Sequence, residues 1–230
     1  MHENSPKKRQ ARRLERKAGK RPLYPRILMV CEGSKTEKFY FDDIRQHWRI
    51  SSADWEVLPS ELGTGPEKVV EFAEQKAREE KKWDEVYCIF DRDDHVYYQT
   101  AILKAKSLDG KIRPNDPIAA SSRFIAIPSV PCFELWYLIH FVSVTKELPR
   151  DKVYTQLKIK VPEYSKGAAG MFERTYSRLS LASANAENER TRKEQSGNDN
   201  PSTDVDILVK RLHEIGDMKT QSMKKHRGEE

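Results

Sequence analysis

Three short apolar runs constrain the fold of this chain more than any other feature of its sequence. They span residues 27–31, 85–90 and 123–128. Each run is apolar at nearly every position, which is typical of a strand buried on both faces of a parallel sheet. Segments with the spacing of amphipathic helices occur at 35–48, 66–82 and about 97–107. Strands that alternate with helices predict an α/β fold with a mostly parallel sheet.

The remaining patterns predict one more strand and a helical C-terminal part. Residues 54–58 alternate between polar and apolar side chains, which favours a strand. Further helices are predicted at 131–142, 168–192 and 203–215. The chain thus divides into a basic flexible arm, a core, a helical part of the same domain and a flexible tail, at 1–24, 25–150, 151–215 and 216–230.

Basic residues are concentrated in the N-terminal arm. The whole chain has 42 Lys and Arg against 36 Asp and Glu, a formal net charge of +6. In a flexible arm, basic side chains favour sequence-independent contact with the phosphates of a nucleic acid. The residues expected to make this contact are Lys7, Lys8, Arg9, Arg12 and Arg13. A solvated tail without a partner is the alternative.

Other features of the sequence exclude several classes of protein. The three cysteines form no CxxC pair, which argues against a zinc site or a disulfide framework. No apolar stretch approaches the roughly 20 residues needed to cross a bilayer, and no signal peptide is evident. We therefore expect a cytoplasmic protein that does not enter a membrane.

Carboxylates follow two of the predicted strands at the point where each strand ends. Glu32 follows the first strand, and Asp91 and Asp93 follow the third. In parallel α/β sheets functional residues collect at the carboxyl ends of the strands, so these side chains can converge. Carboxylate oxygens, with water and substrate phosphate, are the ligands that Mg²⁺ prefers. The pattern predicts a Mg²⁺ or Mn²⁺ site for phosphoryl-transfer chemistry, although Asp and Glu at such junctions can also simply cap helices.

Two other phosphate chemistries fit these residues less well. Gly33-Ser34-Lys35-Thr36 has the Lys-Thr ending of a P-loop, but the earlier glycine that a P-loop requires is missing. The nearby carboxylate of Glu32 would also repel a phosphate. Phe90-Asp91-Arg92-Asp93 suggests the aspartyl nucleophile of a haloacid-dehalogenase-type phosphatase. It follows the third strand rather than the first, however, and it leaves Glu32 unexplained.

Four motifs occur in an order that resembles a known family. They are Glu32-Gly33-x-x-Thr36-Glu37, Phe90-Asp91-x-Asp93-Asp94-His95, Pro131-Cys132-Phe133-Glu134-Leu135-Trp136 with His140-Phe141, and Asn200-Pro201-Ser202-Thr203. Over about residues 24–215 the chain closely resembles the RloB-like family, small proteins encoded in or beside type I restriction–modification loci. The resemblance implies a Toprim-like domain, the fold shared by topoisomerases, primases and overcoming-lysogenization-defect nucleases.

The resemblance also implies roles for individual residues. Toprim domains hold Mg²⁺ with a Glu after the first strand and an Asp-x-Asp after a later one. By this likeness Glu32 is a metal ligand or general base, and Asp91 and Asp93 are further ligands. Glu37 is a candidate metal ligand because it matches an acidic residue that the related nucleases place one helical turn later, although here it lies one position further along. The remaining candidates are Asp94 and Glu134 as metal ligands, Lys166 as the lysine that neutralises the scissile phosphate, and Lys35 as a phosphate contact, each with an ordinary structural role as the alternative.

The function that the resemblance implies is a metal-dependent nuclease in defence against phage or foreign DNA. The resemblance also implies a companion ATPase, encoded alongside, that would control it; no motif of this chain itself binds ATP. The expected substrate is DNA or RNA, with tRNA among the candidates, and the sequence leaves a homo-oligomer open. The alternative is a Toprim-like module that binds nucleic acid or a partner without cleaving.

Overall fold

A mostly parallel sheet forms the centre of the protein, for which a computed structural model describes residues 24–51 and 54–227, with side chains through residue 221. Its strands are β1 (Ile27–Cys31), β2 (Trp55–Pro59), β3 (Glu85–Asp91), β4 (Arg123–Val130) and β5 (Ser202–Thr203). They form one five-stranded sheet in the order β2-β1-β3-β4-β5. The first four strands are parallel, and β5 is antiparallel to β4. The predicted α/β fold is confirmed.

Helices surround the sheet along the whole described chain. They are α1 (Thr36–His47), α2 (Pro66–Glu80), α3 (Tyr98–Leu108), α4 (Glu134–Leu138), α5 (Arg150–Lys160), α6 (Met171–Thr175), α7 (Leu179–Ser196) and α8 (Val205–Arg227). A turn of 3₁₀ helix, Tyr176–Arg178, joins α6 to α7. Helices α1, α2 and α3 each connect two parallel strands, so the loops that precede them lie at the carboxyl ends of the strands.

The sheet is buried on both faces, which explains its apolar strands. Successive side chains of a strand point to opposite faces. Met29 and Ile89 therefore enter one core, and Val30 and Cys88 enter the other. Helices α2 and α3 cover the second face, while α1 and α4 to α8 cover the first. The helices on the two faces of the sheet together hold the strand ends in place, including the ends of β1 and β3.

The segment after β4 differs from the long helix predicted over 131–142, and that prediction is wrong in length. Only α4, with 5 residues, is helical there. Its start is fixed because the Phe133 backbone N–H donates to Asp91 Oδ1 at 2.8 Å. Beyond its end, the Asn185 side chain donates to the Ile139 carbonyl at 2.8 Å and satisfies that group outside any helix.

The C-terminal helices also differ from the predicted ones. Helix α5 was not predicted, because its two buried residues, Val153 and Leu157, give a weak apolar pattern. The helix predicted over 168–192 begins after Gly170, which has a left-handed φ of 79°, and is divided by the 3₁₀ turn. Helix α8 continues past residue 215 to Arg227, and Gly216 lies close to Trp48 on the way.

Candidate metal centre

The adjacent strands β1 and β3 bring Glu32 and Asp91 together. Glu32 follows the last residue of β1, and Asp91 ends β3. The ladder between the strands continues past β1, since the Glu32 N–H donates to the Ile89 carbonyl at 3.1 Å. Glu32 Oε2 in turn accepts the Asp91 N–H at 3.1 Å. The first carboxylate is therefore anchored to the strand end that carries the second.

The turn after β3 supplies two further donor groups, Asp93 and His95. Asp93 has a left-handed backbone with φ 39°, and its N–H donates to the Pro131 carbonyl at 3.2 Å. One ligand atom from each of Glu32, Asp93 and His95 lies within 4.8 Å of the other two. Carboxylate oxygens suit Mg²⁺ and Mn²⁺, and an imidazole nitrogen is a common additional ligand of transition metals. The residues present therefore fit the divalent cation that the sequence predicts.

Behind this donor set lies a group of buried carboxylates from three different elements. The exposed fraction is 4% for Asp91 on β3, 6% for Glu37 on α1 and 1% for Glu134 on α4. Asp91 Oδ1 accepts the Phe133 N–H at 2.8 Å. Glu134 Oε1 accepts the Tyr164 hydroxyl at 3.0 Å, which gives this buried group the partner that it needs.

Burial makes Glu32, Glu37 and Asp91 weaker acids. Burial raises the pKa of Glu32, although the hydrogen bond from the Asp91 N–H opposes the change. Burial, followed by the charge of Glu134, raises the pKa of Glu37 to about 7. Burial and the neighbouring charges of Glu37 and Glu134 hold the pKa of Asp91 well above its ordinary value. Glu37 is therefore partly protonated near neutral pH unless a cation compensates its charge.

Basic side chains face these carboxylates across a cleft of about 490 Å³. Its lining residues are Glu32, Gly33, Ser34, Lys35, Thr36, Glu37, Thr64, Asp91, Glu134, Arg150, Lys166 and Gly167. Lys35 immediately precedes α1, and Lys166 lies in the loop between α5 and α6. Arg150, the first residue of α5, donates to both Asp91 and Asp93. The cleft thus combines carboxylates that suit a cation with basic groups that suit an anion.

Two glycines allow the walls of the cleft to approach each other. A Cβ on Gly33 would lie 2.9 Å from Glu37 Oε2, so a side chain there would displace that carboxylate. Gly167 has a left-handed φ of 75°, and a Cβ there would lie 3.0 Å from Lys35 Cβ. Glycine at position 33 lets the loop between β1 and α1 lie close to Glu37. Glycine at position 167 lets the loop that carries Lys166 lie close to Lys35.

Comparison with known families places the chain in one of them. The family model for RloB-like proteins matches residues 27–212, a range that includes every residue of the cleft. The chain belongs to the RloB-like protein family. No curated protein and no solved structure gives a significant match. No helix of the described residues is long and apolar enough to cross a membrane.

The RloB-like chain places most of its predicted site residues in this one cleft. Those that line it are Glu32, Lys35, Glu37, Asp91, Glu134 and Lys166. Asp93 lies in an adjoining groove, which Arg150 also lines, and Asp94 is an exposed residue of the same groove. The predicted phosphate contacts that fall outside the described residues are Lys7, Lys8, Arg9, Arg12 and Arg13.

Two residues that contact the carboxylates of the RloB-like site were not identified from the sequence: Arg150, which lines the cleft, and Tyr164, which donates to Glu134. Arg150 follows Pro149, which precedes α5 in an extended conformation (ψ 153°). A proline before charged residues is a recognised signal for a helix start, so this signal could have located α5 but not its contact with β3. Tyr164 lies in a loop, and no local pattern links it to Glu134.

Proposed function

We propose that this RloB-like protein is a divalent-metal-dependent nuclease that hydrolyses phosphodiester bonds of DNA or RNA. The observation that carries the proposal is the donor set of Glu32, Asp93 and His95, whose ligand atoms lie within 4.8 Å of one another. These residues would hold Mg²⁺ or Mn²⁺, with Asp91 as a further ligand. When bound, the ion would supply Lewis-acid activation of water and stabilise negative charge on the phosphate.

The basic side chains of the cleft would bind and orient the phosphodiester. Lys35 and Lys166 lie on neighbouring walls, because Gly167 packs against the Lys35 side chain. Their ammonium groups would contact phosphate oxygens and hold the scissile bond beside the carboxylates. A partly buried cleft strengthens such contacts, since less water competes for the charges. Lys166 keeps the neutralising role that the sequence predicts for it.

Glu37 is suited to exchange a proton with the attacking water. Its pKa of about 7 arises from burial and from the nearby charge of Glu134. A general base works best when its pKa lies near the operating pH. One oxygen of Glu37 would accept the proton that the water loses. Glu32, which is anchored by the Asp91 N–H, would serve as a ligand.

The proposal includes a role in defence against phage or foreign DNA under the control of a companion ATPase. This part rests on the likeness to RloB-like proteins of restriction–modification loci. It also has a physical basis, because an unrestrained nuclease would damage the nucleic acids of its own cell. The same dependence on a partner predicts weak cleavage by the isolated chain.

Cleavage assays test the proposal directly. The protein is incubated with Mg²⁺, Mn²⁺ or EDTA, with and without the neighbouring ATPase, on plasmid DNA, single-stranded DNA and tRNA. We expect metal-dependent cleavage of at least one substrate. Glu32→Gln should reduce it by about a hundredfold or more, since a metal ligand is lost. The matched control is Glu194→Gln, an exposed carboxylate of α7 outside the cleft.

The assays separate the proposal from the alternative. Equal cleavage by the unmodified protein and Glu32→Gln would contradict the mechanism. Binding of nucleic acid or of the ATPase, with no cleavage under any of these conditions, would favour a Toprim-like binding module instead.

A further inference from the structure

Arg150 holds two of the proposed metal ligands at once. It begins α5, and its guanidinium reaches the end of β3. Its Nη2 donates to Asp91 Oδ2 at 3.1 Å, and its Nη1 donates to Asp93 Oδ2. Its Nε also donates to the Tyr154 hydroxyl at 3.3 Å. These bonds fix the planar group between two carboxylates, as the fork geometry of arginine allows.

The carboxylates that Arg150 contacts are the ones that would hold the proposed cation. Asp91 Oδ1 already accepts the Phe133 N–H at 2.8 Å, so Oδ2 is the oxygen of Asp91 that remains for a ligand. Asp93 belongs to the donor set described above. A guanidinium and a divalent ion beside the same oxygens repel each other at short range. Cation binding and the ion pairs of Arg150 therefore oppose each other.

The position of Arg150 also gives its guanidinium a second partner. The residue lines both the cleft and the adjoining groove, so it stands where the two spaces meet. Its side chain is 34% exposed, whereas that of Asp91 is 6% exposed. A guanidinium binds two oxygens of a phosphate with the same fork that it uses for carboxylates. The Arg150 guanidinium would therefore be able to donate hydrogen bonds to a phosphodiester in the cleft.

We propose that Arg150 exchanges partners, pairing with Asp91 and Asp93 in the cation-free protein and with the substrate phosphate once a divalent cation holds those carboxylates. This inference rests on the proposed metal-dependent function. The exchange couples the two ligands, because the phosphate gains the arginine only after the cation has bound. It also keeps the carboxylates partly neutralised while no cation is present.

Isothermal titration with Mn²⁺ tests the competition without relying on activity. The variants are Arg150→Gln and Arg150→Lys. The control is Arg211→Gln, whose side chain is 31% exposed and pairs with Glu85 at the other end of β3. Arg150→Gln should bind Mn²⁺ about tenfold more tightly than the unmodified protein, because the competing charge is gone. Arg150→Lys should fall between them, since it keeps the charge but lacks the fork. Arg211→Gln should not change.

Cleavage by the same variants tests the second half of the exchange. Arg150→Gln should cleave about tenfold or more slowly despite its tighter binding of Mn²⁺, because the phosphate contact is lost. Arg150→Lys should recover part of the rate. Opposite changes in the two measurements distinguish a partner exchange from simple misfolding, which would weaken both.

The outcomes also distinguish this inference from the proposed function. Unchanged or weaker Mn²⁺ binding by Arg150→Gln and Arg150→Lys would overturn the exchange while leaving a metal-dependent nuclease intact. Unchanged cleavage by both variants would overturn the phosphate contact. Absence of Mn²⁺ binding by the unmodified protein would overturn both the exchange and the function on which it rests.

Discussion

Strand β3 carries a buried or nearly buried carboxylate at each end, and the two ends are neutralised in different ways. At the first residue, both oxygens of Glu85 accept bonds from the Arg211 guanidinium, and the Tyr87 hydroxyl donates to Glu85 Oε2 at 2.7 Å. The same guanidinium also donates to Glu214 at 3.1 Å, but that carboxylate is 45% exposed, so water also solvates it. At the last residue, Asp91 shares a single arginine, Arg150, with Asp93. The further carboxylates beside it are Glu32, Glu37 and Glu134.

The difference indicates that the carboxylate at the Glu85 end stabilises the fold, whereas the carboxylates at the Asp91 end need a ligand to balance their charge. At the first residue of β3, the Arg211 guanidinium and the Tyr87 hydroxyl together satisfy Glu85, and no further ligand is required there. Burial, followed by the charges of neighbouring carboxylates, raises the pKa of Glu37 and of Asp91, and such a group destabilises the folded chain. Packing alone gives no reason for such a group. A cation site does, because its ligands must converge before the ion binds.

The largest expected difference between the two ends of β3 is in cleavage rate, when the carboxylate at each end is replaced by the amide of the same size. Asp91→Asn removes a proposed metal ligand while its remaining oxygen can still accept the Phe133 N–H. We expect cleavage to fall by about a thousandfold. Glu85→Gln should leave the rate nearly unchanged, because that end holds no proposed ligand. Single-turnover cleavage at saturating Mn²⁺ measures both variants, and equal losses would show that the two ends do not differ in function.

Removing the arginine from each end of β3 should destabilise the chain, and metal should compensate more of the loss at the Asp91 end than at the Glu85 end. Arg211→Ala leaves Glu85 without its cation and should lower the free energy of unfolding by about 3 kcal/mol. Arg150→Ala should have a similar effect in EDTA, because Asp91 and Asp93 lose theirs. Mn²⁺ should stabilise Arg150→Ala more than Arg211→Ala or the unmodified protein, since an ion stabilises the folded state more when it binds that state more tightly.

Urea unfolding with and without Mn²⁺ measures these two losses. The unmodified protein serves as the reference for the stabilisation that Mn²⁺ gives by itself. An equal response of both arginine variants to Mn²⁺ would contradict the distinction between the ends of β3.

The carboxylates of the site could be predicted from the sequence, whereas the arginines that meet them could not. Glu32 and Asp91 each follow an apolar run, and parallel strands place their carboxyl ends side by side, so a local pattern is sufficient. Arg150 and Arg211 come from helices far along the chain. Which carboxylate each of them reaches depends on how its helix docks, and local spacing carries no information about docking.

The fold class and the family were likewise accessible from local motifs, and both are confirmed. The failure at 131–142 has a tertiary cause, since hydrogen bonds from Phe133 and Asn185 limit α4 to a short segment. Glu134 was identified because a charge within an apolar run is conspicuous. Its partner Tyr164 could not be, because it comes from a distant loop. The metal and the nuclease activity stay predictions.

Because Glu37 is one of the buried carboxylates near the end of β3, its titration should make the free energy of unfolding depend on pH. Its pKa in the folded chain is about 7, against an ordinary value of 4.5. Between these values the folded chain binds more protons than the unfolded one, so the free energy of unfolding falls as pH rises through this window. Glu37→Gln removes this penalty and should stabilise the metal-free chain by about 2 kcal/mol at pH values above 7.

The gain from Glu37→Gln should vanish as the pH approaches 4.5, because Glu37 is then protonated in the folded chain. Urea unfolding in EDTA across this range measures it. Glu194→Gln, the exposed control on α7, should follow the unmodified protein at every pH. A gain from Glu37→Gln that did not depend on pH would show that the carboxyl group is not titrating in the window given.

The smallest expected effect comes from Gly33, and it decides whether Glu37 belongs to the metal centre. Gly33→Ala would place a Cβ 2.9 Å from Glu37 Oε2, so the carboxylate must shift. Because the end of a flexible side chain moves easily, stability should fall by only about 1 kcal/mol. Mn²⁺ affinity should fall by about fivefold if Glu37 faces the ion. Gly65→Ala is the control, since a Cβ there meets no atom within 4 Å. Equal Mn²⁺ affinity in the two variants would place Glu37 outside the ion's surroundings and leave it only the proton-transfer role.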